Sequence, residues 1–147
     1  MTLLVPYDGS DLSEAALERA TEFAGYTDEN VLVLAVVPDE PDYALERGWL
    51  SADDPFDPET IADRLRDRVA EVAPDAEFRY EVPEAVSEMA SVTTDVVRTI
   101  RSVANEVEAS IVFIGSENAG RVSSPVSSVG APVSEDPQYD VHIVRHA

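Results

Sequence analysis

Gly115, Gly120 and Gly130, with Ser116, Ser123, Ser124, Ser127 and Ser128 beside or between them, are the residues of this chain best suited to cradle a phosphate. Backbone N–H groups approach a phosphate closely only where side chains are small. The segment follows Ile111-Val112-Phe113-Ile114, an apolar run that reads as a buried parallel strand opening onto a loop. Gly115-x4-Gly120 has the glycine spacing of a P-loop, but Arg121 and Val122 stand where that motif needs lysine and Ser/Thr. Val122 cannot ligate magnesium, and a guanidinium fork is a poor copy of a compact ammonium. Glu117 adds a negative charge inside the loop, and the dinucleotide pattern GxGxxG is absent. The loop is therefore a phosphate cradle of another kind, the remnant of one, or an ordinary Ser/Gly surface loop.

Other candidate chemistry is sparse. The two histidines are His142, between apolar neighbours, and His146, beside the terminus. Each reads more simply as a surface residue than as a catalytic or metal-binding one. Carboxylate pairs such as Asp53-Asp54 carry no information in so acidic a chain. Asp8 is the exception because it ends a strand, where it either contacts a ligand or shapes a turn. Tyr43 and Trp49 fall in a long connection and either cover a pocket or pack in the core. No nucleophile–base–orienter set is visible, and no metal site is expected.

The elements that would position these residues alternate. Leu3-Leu4-Val5-Pro6 is a short apolar strand ending in Tyr7-Asp8-Gly9-Ser10. Ser10 suits the N-cap of a helix from Asp11 to about Ala24, with Leu12, Ala16, Ala20 and Phe23 on one face. Val31 to Val37 is the next strand. Residues 39–56 read as a long connection broken by proline. Asp57-Pro58 starts a helix reaching about Ala73, with Ile61, Leu65 and Val69 inward. Phe78 to Val82 alternates like an edge strand, and Thr94 or Asp95 caps a helix to about Glu108, with Val96, Ile100, Val103, Ala104 and Val107 inward. A short helix and the strand Val141 to Val144 close the chain. This order predicts an α/β fold: an open five-stranded, mostly parallel sheet, Rossmann-like, with strand order 3-2-1-4-5 and helices on both faces. In such sheets ligands bind beyond the carboxyl ends of the strands where the winding reverses, which places Asp8 and Gly115 on one crevice.

Val5-Pro6-Tyr7-Asp8-Gly9-Ser10 with Ser13-Glu14-Ala15-Ala16-Leu17, and Ile111 to Ser116 with Gly120, Arg121 and Gly130, resemble the universal stress protein family. The likeness covers nearly the whole chain and weakens over residues 39–56 and 83–93. It implies a crevice formed by Pro6, Asp8, Val36, Gly115, Ser116, Gly120, Arg121, Gly130 and Ala131. Asp8 would contact the nucleoside and the Val36 backbone the adenine edge, and Arg121 and Gly130 would belong to the second half of the nucleotide loop. It also implies a homodimer along the last strand, with Val141, Ile143 and Val144. Nucleotide-binding members carry Gly-x2-Gly-x9-Gly-Ser/Thr. Here Gly115-x4-Gly120 replaces the first half, Asn118 stands at the second glycine, and Ala131-Pro132 replaces the final hydroxyl. The phosphate half of the site is thus more altered than the base half. The resulting expectation is a regulatory binding module, not an enzyme, with weak or no ATP binding. The alternatives are a working ATP or AMP binder and a slow nucleotide hydrolase.

Composition bounds the rest. With 147 residues the chain reads as a single domain able to bury roughly 70% of its unfolded surface. Absence of cysteine excludes disulfides and thiolate chemistry. No apolar run approaches the ~20 residues of a membrane span, and no targeting segment is expected before the first strand, which fits the expectation of a cytoplasmic location. Thirty acids against ten bases give net −20, and every base is arginine. Such a surface repels nucleic acid and anionic membranes. It suits either a halophilic cytoplasm, where excess carboxylates keep the protein hydrated, or an acidic partner surface such as a nucleic-acid mimic. The even spread of acids along the chain favours salt adaptation.

Overall fold

In the computed structural model, residues 1–83, 92–116 and 138–147 are described. The strands are β1 (Thr2–Pro6), β2 (Asn30–Val36), β3 (Glu77–Glu81), β4 (Ala109–Gly115) and β5 (Asp140–Val144). The helices are α1 (Asp11–Thr27), α2 (Pro41–Glu46), α3 (Pro58–Val72) and α4 (Val92–Glu106). The strands form one sheet in the order β3-β2-β1-β4-β5, and every neighbouring pair is parallel. This is the expected Rossmann-like topology. The short helix expected before the last strand lies outside the described residues.

The apolar strands sort their side chains by the period of two. Leu3, Val5, Val31, Val33, Ala35 and Phe113 pack with α1 and α3 on one face. Leu4, Leu32, Leu34, Val112 and Ile114 pack with α4 on the other. Both faces are covered, which is why β1 and β2 read as continuous apolar runs rather than alternating ones.

Local chemistry sets the helix ends. Ser10 caps α1 by accepting from the Ser13 N–H at 3.2 Å, and Asp11 and Glu14 fall in the first turn, where the helix dipole favours anions. The helix continues past Ala24 to Thr27 and stops where Asp28 turns left-handed at φ 57°. Phe23, expected inward, lies on the rim with its ring 5.8 Å from that of Phe113. Asp57 caps α3 through the Glu59 N–H, with Pro58 at the first position. In α4, Val97 joins Ile100, Val103 and Ala104 in the core, while Val96 is half-buried.

Residues 39–56 differ from expectation. They contain α2, and Ala44, Trp49 and Leu50 are buried in the α1/α3 core. Pro41 begins α2 rather than breaking it, because a first-turn residue needs no N–H partner.

Candidate functional site

Pro6, Asp8, Val36 and Gly115 line one crevice beyond the carboxyl ends of β1, β2 and β4. It encloses about 530 Å³ of atom-free space, part of it open to solvent. Leu34, Ile114, Val96 and Ile100 supply apolar wall, and Ser10, Ser13, Tyr43 and Arg47 supply polar groups. Ser116 follows directly on β4 and is half-buried, but it is not among the lining residues. Gly120, Arg121, Gly130 and Ala131 lie outside the described residues.

Asp8 takes the turn role and keeps a group for the crevice. Its Oδ1 accepts from the Ser10 N–H at 2.9 Å, closing an Asx turn before α1. Its Oδ2 faces the Arg47 guanidinium at 3.8 Å. Its backbone carbonyl accepts from the Trp49 indole N–H at 2.7 Å. The turn needs Gly9 at φ +83°, and a Cβ there would come within 2.6 Å of Arg68 Nη1. Gly115 answers to packing. A Cβ at that position would stand 2.9 Å from Leu12 Cβ, so the absent side chain lets α1 lie close over the end of β4.

The short helix α2 completes the wall. The Arg47 guanidinium lies 4.1 Å from the centre of the Tyr43 ring, a cation–π contact. Tyr43 meets Trp49 edge-on at 5.7 Å, and Arg64 Nη1 donates to the Trp49 carbonyl at 3.0 Å. Burial raises the Tyr43 phenol pKa, with Arg47 opposing it. Tyr43 therefore covers the pocket, while Trp49 packs and pins. Sequence reasoning missed Arg47. The signal was an arginine four residues after Tyr43, a spacing that pairs side chains on a helix.

Beneath the turn, Tyr7 is buried and its hydroxyl donates to Glu14 Oε1 at 3.2 Å. Arg68 Nη2 donates to the same oxygen at 2.7 Å and to the Gly9 carbonyl at 3.0 Å. Burial, with Arg68 opposing, pushes the Tyr7 phenol up to about 12. The folded state thus holds the neutral phenol, whereas an unfolded tyrosine ionises near ~10. Stability is therefore untouched by this phenol below ~10 and falls as pH rises toward 12, by about 2–3 kcal/mol, because burial opposes its ionisation. Tyr7→Phe is expected to be about 0.5–1.5 kcal/mol less stable at pH 9 through loss of one hydrogen bond. The same variant is expected to lose visibly less stability than wild type between pH 9 and pH 11.5 in urea unfolding. Equal losses would exclude Tyr7 as the titrating group.

At the far edge, β5 presents Val141, half-buried against the α4 face, and Ile143, which is 36% exposed. Val144, expected on the dimer strand, is buried in the core on the α1 face, so only its backbone remains for an edge contact. His142 is exposed and stacks on Phe113 at 4.9 Å. Among the described residues, no group of three or more His, Asp or Glu could hold a metal ion, and no helix is long and apolar enough to cross a membrane.

A parallel sheet in this order, with a part-apolar crevice at the strand ends where the winding reverses, has its crevice where open α/β proteins bind their ligands. The universal stress protein family model matches residues 1–145, and the chain belongs to that family. No curated protein matches it. Among solved structures, the chain is similar to a universal stress protein in complex with cAMP, at 24% identity over 100% of this chain and 98% of that one, TM-score 0.57. It is also similar to the Archaeoglobus fulgidus universal stress protein in complex with dAMP, at 19% identity over 99% and 98%, TM-score 0.56. An Arabidopsis thaliana family protein with AMP bound matches at 14% identity over 100% and 92%, TM-score 0.56.

Proposed function

We propose that the chain is a single-domain regulatory module that binds an adenine nucleotide in the β1/β2/β4 crevice and does not turn it over. The observation that carries this reading is the shared crevice of Pro6, Asp8, Val36 and Gly115. Binding of cAMP, dAMP or AMP by structural relatives supports it. The base end of the site is intact in sequence, while the phosphate loop lacks donors at Asn118, Ala131 and Pro132. AMP is therefore favoured over ATP. No catalytic residue is proposed: hydrolysis needs a positioned cation and a water-orienting group. Titration calorimetry in molar KCl tests the reading. AMP is expected to bind saturably, and Asp8→Ala to weaken it roughly tenfold through loss of one charge-assisted contact. No saturable binding of AMP, cAMP or ATP would reject it.

The reading includes a salt-rich cytoplasm as the protein's setting, which the net charge of −20 supports. A two-fold homodimer along β5 is part of the same reading; the edge of β5, which pairs only with β4 among the described residues, supports it, because such an edge pairs readily with a second copy. Ile143→Pro removes a backbone N–H from the edge strand, and the milder Ile143→Lys puts a charge on it. Both are expected to shift the protein toward monomer by light scattering in high salt. A wild-type monomer at tens of micromolar, or variants that remain fully dimeric, would reject this interface.

A further inference from the structure

The turn that carries Asp8 into the crevice is held by donors from beyond its own helix. Two successive carbonyls, those of Asp8 and Gly9, accept from the Trp49 indole N–H at 2.7 Å and from Arg68 Nη2 at 3.0 Å. Trp49 is buried in the core, so its bond is part of the fold. Arg68 is different. Its side chain is 49% exposed and, among the described residues, it is not one that lines the crevice. Leu65 and Arg68, three positions apart on α3, both face Gly9, as that spacing on one helix allows. The guanidinium takes the space a side chain at position 9 would need, with Nη1 2.6 Å from where a Cβ would stand. Its second bond, to Glu14 Oε1 at 2.7 Å, fixes it against the first turn of α1.

The Ser10 N–H bond to Asp8 Oδ1 orients the carboxylate on its own backbone. Orienting the turn against the rest of the molecule takes contacts from elsewhere, and the two carbonyl bonds supply them. Resting on the nucleotide reading above, we propose that Arg68 is a positioning residue. It holds the Asp8 turn at the angle the ligand needs, and so sets the affinity of the crevice without touching what it binds. Hydrogen bonds weaken steeply with misalignment, so a small tilt of the turn costs affinity. A half-exposed ion pair adds little to stability, so the same change leaves the fold intact.

The test is a double-mutant cycle on the full chain, with AMP affinity measured by calorimetry. Arg68→Met keeps the aliphatic stem and removes the donors. It is expected to weaken AMP about fivefold in the wild-type background and less than about twofold in Asp8→Ala, because the two residues act as one unit. Arg66→Met, on the same helix but paired with Asp63, is the control and is expected to change neither. An equal loss in both backgrounds, or no loss in either, would overturn the proposal. The Trp49 indole N–H resonance reads the turn without any ligand. It is expected to move in Arg68→Met and to stay in Arg66→Met. If it moves while no variant and no wild type binds AMP, the nucleotide reading falls and the positioning of the turn by Arg68 stands. If it stays at its wild-type position in Arg68→Met, the positioning role is overturned whatever AMP does.

Discussion

Thermal melts are expected to rise by about 10–20 °C between dilute buffer and 2–3 M KCl, the shift that relief of roughly 5 kcal/mol of repulsion gives a domain of this size. The chain carries thirty acids and ten arginines, so even complete one-to-one pairing leaves 30 − 10 = 20 carboxylates without a cation. The described residues contain seven ion pairs, two of them sharing Arg79. The remaining charges repel over ~10 Å at 0.1 M salt and over only ~3 Å at 1 M. The core does not change with salt, so the gain comes from that repulsion. Lowering pH toward 5 in dilute buffer removes charge by protonation and is expected to recover part of the same gain. A melting temperature flat from dilute buffer to 3 M KCl would remove the argument for salt adaptation.

ATP is expected to bind at least ~100-fold more weakly than it does to a family member with the complete glycine motif. Asn118, Ala131 and Pro132 stand where that motif supplies backbone or hydroxyl donors. Each missing bond to a charged oxygen costs ~1.5–3 kcal/mol, so two suffice for that factor. Calorimetry with both proteins in molar KCl measures the ratio. Submicromolar ATP affinity would mean that the altered loop still closes around the triphosphate.

The strands were legible because a sheet covered on both faces writes itself as short apolar runs, and each observed strand lies within one or two residues of its expected ends. Asp8 and Gly115 followed from strand ends and topology, Pro6 and Val36 only from the resemblance to the family, and all four line the crevice. Gly115 came with a different reason, contact with Leu12 rather than room for a phosphate. Arg47 was missed, because its spacing from Tyr43 is a signal only once a helix is recognised there. Its helix has six residues, too few to show a period, and prolines at 38, 41 and 55 read as a broken connection. Its partner Asp8 lies far away in sequence, and nothing in the local pattern brings them together. Asp8 itself was ambiguous because one carboxylate serves both readings, with one oxygen in the turn and the other facing Arg47.

Trp49 is the chain's sole tryptophan. Its indole N–H rests on the Asp8 carbonyl, and its ring touches Tyr43. The molecule therefore carries its own optical probe in the core, hydrogen-bonded to the Asp8 turn that lines the crevice. Emission excited at the red edge of tryptophan absorbance comes from one place alone. A change in its colour or intensity reports whether α2 stays seated as ligand, salt or pH is varied, with no label attached.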